Sequence, residues 1–332
     1  MVNAANTLRE SLPVRAEVPG VMTLKDGRHL AWEEYGDDRA YPLVYFHSHG
    51  SSRIEASLLH QQAKESGFRI IAVDRPGLGR SDPHPGMSLE DFAEDVLQLM
   101  VCLKLERYGI LALAGGAPFA LSLARSHPEN ISILVLLAPV PLQAACRSLL
   151  FRLRQCVIRH TLISLLWIRC HFSRFTAETY LARFSDTLCR ADQSLLSQPD
   201  IIAFLLHDQR EAFRQGCRGV ASDTSLSLDS AHLQPENIKI PVHIWHGSLD
   251  QVVSVHCSEM LAEKLPDCFL RRLGRQGHFF WISEAGQIFA QTRSHLLRQA
   301  AGEPINWRRG GSNSAQVISR KSDLPTAVAC IA

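Results

Sequence analysis

The chain has 332 residues, 46% of them hydrophobic and 20% charged, enough apolar content for a large globular core. Its 35 basic and 33 acidic residues leave a net charge of +2, which gives no electrostatic footprint for nucleic acid. Nine cysteines, an odd number with no C-x-x-C pair, fit a reduced, cytoplasmic setting rather than a disulfide framework or a cysteine metal site.

Residues 1–19 mix Arg9, Glu10, Arg15 and Glu17 and lack an apolar centre, so they read as an extension and not as a signal peptide. No stretch reaches the roughly 18 uninterrupted apolar residues of a membrane span. A hairpin is expected next, with Asp26-Gly27 turning between Met22–Leu24 and His29–Tyr35. Leu43–Phe46 is an apolar strand that runs into the polar loop His47-Ser-His-Gly-Ser-Ser-Arg53. A helical run from Ile54 to Glu65 precedes the strand Arg69–Asp74, which ends at Arg75-Pro76-Gly77. Asp74 is read there as a turn-forming residue. Ser88, with Asp91 three residues on, caps a helix carrying Phe92, Val96, Leu99, Met100 and Leu103.

Strand, Gly-rich turn and helix follow in Tyr108–Glu129, then the strand Ile131–Ala138. The alternation breaks between residues 139 and 236, where the pattern is helical. It resumes with Val242–Trp245, the helix Ser254–Lys264, the strand Phe269–Leu273 and a helix near Glu284–Gln299. Strands alternating with helices predict a parallel, doubly wound sheet. Segments 20–138 and 237–302 then form one core, 139–236 a helical cap inserted into it, and 303–332 a polar tail.

The turn in the middle reads Ala112-Leu113-Ala114-Gly115-Gly116-Ala117-Pro118. Downstream stand His246-Gly-Ser-Leu-Asp250 after one strand and Gly277-His278-Phe279 after the last. This layout resembles the α/β-hydrolase superfamily. Within it, it is similar to small bacterial hydrolases with G-x-S-G-G-x-P elbows. Asp74-Arg-Pro-Gly-Leu-Gly-Arg-Ser81, Trp245-His-Gly and Gln215–Asp223 add to the likeness, which covers about Gly20 to Ala300. The resemblance implies an α/β-hydrolase fold: a mostly parallel central sheet, helices on both faces and an inserted helical cap. It also implies an acyl-transfer site acting on a small or medium ester, thioester or lactone, without a cofactor.

Roles follow from the same resemblance. Asp250 orients His278, and His278 acts as general base and then general acid. The N–H of Gly115, at the start of a helix, is one oxyanion donor, and the N–H of His49 is the other. His47, Ser48 and Phe279 are expected to contact substrate. Family members read a glycine where Ser48 stands. The nucleophile position itself is Ala114, and a methyl group cannot attack a carbonyl. Three readings stay open: a serine-hydrolase lineage with the nucleophile replaced, a non-catalytic ligand-binding pseudohydrolase, and an enzyme using Asp250 and His278 without a covalent intermediate, of lyase, decarboxylase or cofactor-free oxygenase type. Ser122, two helical turns past the elbow, is no substitute; Ser48, Ser51 and Ser52 lie on the neighbouring loop. His47-x-His49 has no carboxylate or cysteine motif beside it, so no metal is expected.

Asn130 to Ala177 contains no Asp or Glu but holds Arg147, Arg152, Arg154, Arg159, Arg169 and Arg174. Leu149, Leu150, Leu153 and Val157 fall opposite these arginines on a helix. A lid with solvated arginines is the plain reading; an anionic membrane surface or an acidic carrier protein is the alternative partner.

Overall fold

Runs of Ile, Val and Leu buried on both sides set the architecture. The computed structural model describes residues 19–142, 185–228, 230 and 232–302. Eight strands form one sheet in the order β1-β2-β4-β3-β5-β6-β7-β8. They are β1 (Gly20–Thr23), β2 (His29–Gly36), β3 (Tyr41–Phe46), β4 (Phe68–Val73), β5 (Tyr108–Leu113), β6 (Ile131–Leu137), β7 (Val242–Gly247) and β8 (Cys268–Leu273). The pairs β1/β2 and β2/β4 are antiparallel. All other pairings are parallel.

The expected hairpin is present, with Thr23 opposite His29. Side chains alternate between two cores, as the period of 2 along a strand requires. Leu43, Tyr45, Leu111, Leu113, Val135 and Leu137 enter one core. Val44, Phe46, Ile110, Ala112, Leu134 and Leu136 enter the other. Each fully buried side chain of this size contributes roughly 1.5–3 kcal/mol.

Helices cover both faces. Residues of α1 (His60–Ser66), α8 (Phe280–Ser283) and α9 (Ala285–Ala300) pack in the first core. Residues of α2 (Leu89–Cys102), α3 (Ala117–Ser126) and α7 (Val255–Lys264) pack in the second. The capping box forms as expected: Ser88 accepts from the N–H of Asp91, whose carboxylate accepts from that of Ser88. The run predicted as one helix from Ile54 divides into a 3-10 segment, Arg53–Leu59, and α1. Its first turns bury Ala56, Leu58 and Leu59 in the first core and also hold polar contacts of the buried Arg53 and Glu55.

Between β6 and β7 the described residues hold α4 (Arg190–Leu196), α5 (Pro199–Ala212) and α6 (Cys217–Leu228), and no strand. Residues 143–184, with the arginine-rich run and Cys146, Cys156 and Cys170, lie outside the described residues, as do 1–18 and 303–332. Among the described residues no helix is long and apolar enough to cross a membrane.

The chain goes from β3 to β4 on one side, then crosses to β5 on the other side of β3. The carboxyl ends of β3 and β5 therefore flank a topological switch point, where open α/β sheets bind ligands. The loop after β3 holds residues 47–52, and the turn after β5 is Ala114–Gly116.

Candidate active site

The turn after β5 is tight. Ala114 sits in a left-handed conformation with φ of +43°, which costs on the order of 1–2 kcal/mol for a residue with a Cβ. A 3-10 segment, Ala114–Gly116, passes straight into α3, with Pro118 in the first turn of that helix. Strand, strained residue and helix start form the elbow that the sequence pattern implied, and residue 114 stands at its tip.

Asp250 lies in the loop after β7 and His278 in the loop after β8. The Nδ1 of His278 is 2.7 Å from Oδ2 of Asp250. A carboxylate accepts only, so Nδ1 carries the proton and Nε2 keeps its lone pair. Asp250 is itself well held. Its Oδ1 accepts from the N–H groups of Val252 at 2.8 Å and Val253 at 2.9 Å. Nε2 of the buried His246 stands 3.2 Å from its Oδ2. Burial pushes the Asp250 carboxyl up, but hydrogen bonds from His246 and His278 outweigh it and hold the group well below the usual carboxylate range. His246 is fixed in turn by Ser258 Oγ at 2.6 Å and the carbonyl of Val253 at 2.9 Å. Phe279 is half-buried, and its ring meets the His278 imidazole edge-on at 5.6 Å between centroids.

On the other side of the elbow, the His49 imidazole lies directly over Gly115; a Cβ on Gly115 would collide with the ring. His49 Nε2 is hydrogen-bonded to Ser227 Oγ of α6. Burial pushes the His49 imidazole down to about 4, so it is neutral at physiological pH. His47 was expected to contact substrate, but it is fully buried. Its Nδ1 lies 2.9 Å from the Ser48 carbonyl, and its Nε2 accepts from the N–H of Arg75 at 3.5 Å. Burial, reinforced by the Arg75 guanidinium, holds it well below the ordinary imidazole range. It supports the loop from behind. The Ser48 side chain is likewise turned away from a ligand contact: its N–H and hydroxyl both donate to Glu55, at 2.8 and 2.5 Å. Ser48 has no left-handed backbone; in this loop Gly50 does, with φ of +66°.

With the elbow and the Asp250–His278 pair at the carboxyl edge of one sheet, the comparison with known proteins is direct. The family described as alpha/beta hydrolase fold matches residues 41–285. The chain belongs to that family.

It is 25% identical over 278 residues to the uncharacterized hydrolase YcgS of Bacillus subtilis (strain 168), a match covering 82% of this chain and 95% of that protein. It is 26% identical over 234 residues to the putative carbamate hydrolase RutD of Yersinia enterocolitica, covering 69% and 78% respectively. Among solved structures, a hydrolase from Pseudomonas aeruginosa PA01 superposes with a TM-score of 0.66 at 20% identity, over 85% of this chain and 99% of that one. These are hydrolases by name, and the last likeness is one of fold.

Three carboxylates from the helices between β6 and β7 reach the site's loops; the sequence reading named only Asp223, as the end of the segment Gln215–Asp223. Asp192 of α4 accepts the N–H of His278 at 2.7 Å and that of Phe279 at 3.0 Å. Gly277 makes room for it, since a Cβ there would strike the Asp192 carboxylate and the Cys189 sulfur. Asp208 of α5 accepts from Ser51 Oγ at 2.5 Å and from Ser52 N–H and Oγ at 3.0 and 2.6 Å. Two of the three loop serines weighed as stand-in nucleophiles, Ser51 and Ser52, are thus tied to Asp208, as Ser48 is to Glu55. Asp223 of α6 takes both Nε and Nη2 of Arg75, at 2.5 and 2.8 Å. The same guanidinium donates to the carbonyls of His47 at 2.6 Å and Ser48 at 3.1 Å, and it stacks over Phe119.

Asp74 is more than a turn residue. It is fully buried and accepts from the N–H groups of Arg53 and Arg80 and from Arg53 Nη1. Ser122 is buried in α3 with its Oγ unpartnered, away from any imidazole contact. Among the described residues no group of three or more His, Cys, Asp or Glu side chains is arranged to hold a metal ion.

A signal for two of the missed groups stands in the sequence. Ile201, Phe204, Asp208 and Ala212 share one helical stripe, so Asp208 occupies a core position. Asp192 and Leu196 do the same one turn apart. A carboxylate on an apolar stripe needs a donor, and here the donors are the loops of the active site.

Proposed function

We propose that this α/β-hydrolase-type chain cleaves a small or medium ester, thioester or lactone at the switch point between β3 and β5. The hydrogen bond from Nδ1 of His278 to the buried, ionised Asp250 carries the reading. It leaves Nε2 as a base and stabilises the imidazolium that forms when a proton arrives. In this reading His278 accepts the proton of the water that enters the carbonyl and delivers it to the departing group. The N–H groups of Gly115 and His49 receive the oxyanion, helped by the start of α3. Phe279 forms part of the wall beside His278.

Residue 114 supplies no attacking atom, so the nucleophile comes from another group. Replacing Ala114 by serine returns a hydroxyl to the elbow. Ala114→Ser is expected to raise hydrolysis of short p-nitrophenyl esters or lactones by roughly 10²-fold or more. His278→Ala is expected to abolish the activity of both forms. A serine variant no faster than the parent on every compound would overturn the reading. A pseudohydrolase would bind such ligands with no turnover by either form, and a lyase or oxygenase chemistry at the same base would survive without any serine at 114 but not without His278.

A further inference from the structure

The elbow lacks a hydroxyl, but one stands beside it. Ser227, on the last turns of α6, places its Oγ in hydrogen-bond contact with Nε2 of His49. The His49 ring lies on Gly115, and α6 packs against the Ala114–Gly116 turn. A hydroxyl and an imidazole therefore sit together beside Gly115 of the elbow. We propose that Ser227, with His49 as its base, is the nucleophile of this site.

Four features support the assignment. His49 is buried and neutral, so its ring has one nitrogen free to accept a proton. The Ser227 hydroxyl has two acceptors within reach, Nε2 of His49 and, at 3.2 Å, the Thr224 carbonyl. Asp223 lies one helical turn before Ser227; its charge favours the His49 imidazolium, and the charge of its partner Arg75 opposes it. Both of its oxygens are held by Arg75, so it contributes charge and no hydrogen bond to His49. The pair is thus a serine–histidine dyad with a fixed carboxylate nearby. Finally, the serines of the loop after β3 are held by carboxylates, Ser48 by Glu55 and Ser51 and Ser52 by Asp208.

The step balances without a further reactant. Oγ of Ser227 adds to the substrate carbonyl as its proton passes to Nε2 of His49. The C–O, C–S or lactone bond then breaks, and His49 hands the proton to the leaving oxygen or sulfur. Water hydrolyses the acyl-serine, with its proton accepted by Nε2 of His49 and returned to Oγ as that atom departs. The proposal rests on the acyl-transfer reading above and adds to it the source of the nucleophile.

The test is labelling of the full-length chain with an alkyl fluorophosphonate. Oγ displaces fluoride from phosphorus, and the adduct is located by peptide mass spectrometry. The expected result is one phosphonate on Ser227, absent from Ser227→Ala and from His49→Gln and retained in Ser122→Ala. Circular dichroism and thermal melting establish that each variant is folded. In parallel, Ser227→Ala is expected to lower ester turnover by roughly 10²-fold or more, and Ser227→Cys to recover part of it. An adduct on any other serine overturns the assignment. So does ester hydrolysis by Ser227→Ala at the parent's rate; this leaves the ester reading standing with water as the attacking group. An adduct on Ser227 in a chain that turns over no ester, thioester or lactone supports the nucleophile and sinks the substrate reading. No adduct anywhere, with no loss in Ser227→Ala, removes Ser227 from the chemistry.

Discussion

The sheet and the helices between β6 and β7 reach the same edge of the molecule by different means. The strands are held by apolar side chains buried on both faces, as Leu134, Val135 and Leu136 illustrate in β6. The helices α4 to α6 add carboxylates to their apolar contacts: Asp192, Asp208 and Asp223 are each nearly fully buried, and each grips a loop at the carboxyl end of the strands. Apolar packing is non-directional and tolerates small shifts of register between layers. A carboxylate held by two or three donors is directional, so it fixes the position of what it binds. The loops that carry His49 and His278 are the parts whose position chemistry demands. The difference teaches that α4 to α6 act as a clamp on those loops.

The largest expected effect sets one mode of anchoring against the other. Phe92→Ala, which empties a site between Phe46 and Phe119 in the sheet core, is expected to cost about 3–5 kcal/mol. Asp223→Ala leaves the fully buried Arg75 guanidinium without its bidentate partner and is expected to cost a similar 3–5 kcal/mol or so. Urea unfolding of both variants, and of Arg75→Met/Asp223→Leu, makes the comparison. The apolar double variant recovers most of the loss if the pair's value lies in avoiding a stranded charge. A double variant as unstable as Asp223→Ala would mean that Arg75 is needed for its contacts to the His47 and Ser48 carbonyls.

A smaller effect is expected at Asp192. Asparagine keeps one acceptor but turns an amide N–H toward either the His278 or the Phe279 N–H, at a cost of about 1–3 kcal/mol. The diagnostic readout is the NMR signal of the His278 ring. Movement of that signal together with the stability loss marks a clamp that sets the imidazole. A loss of stability with the ring signal unmoved would reduce Asp192 to simple packing.

The smallest effect is a change with pH. Burial, and next the nearby Glu55 carboxylate, push the Asp208 carboxyl above its ordinary range. A carboxyl whose folded-state pKa is raised favours the folded state fully below the ordinary carboxylate pKa. That contribution is lost as pH rises through the folded-state value. The melting temperature of Asp208→Asn relative to the parent is therefore expected to improve from acid to alkaline pH. A difference that stays flat across the range would show that the three hydroxyl and N–H donors from Ser51 and Ser52 hold Asp208 ionised throughout.

The alternation of strand and helix was legible because a buried parallel strand writes itself as a short run of β-branched and aliphatic residues. The hairpin at Asp26-Gly27 and the capping box at Ser88 were legible because both are local, made by residues two or three apart. The Asp250–His278 contact was legible only through the family pattern, since 28 residues separate the two. His47 misled for a related reason. Its place in a polar loop next to the switch point suggested a ligand contact, and nothing local revealed that Arg75 and Ser48 would take both ring nitrogens.

The chain's own order of residues thus determined the layers, the strand ends and the strained turn at Ala114, because each depends on side-chain periodicity or on a few neighbouring dihedrals. Folding in three dimensions decided which polar groups meet. His49 finds Ser227 across 178 positions, and Asp192 finds the N–H of His278 across 86. No period or motif links such distant residues. They come together because each buried donor must find an acceptor, and the helices between β6 and β7 bring acceptors to the sheet's edge.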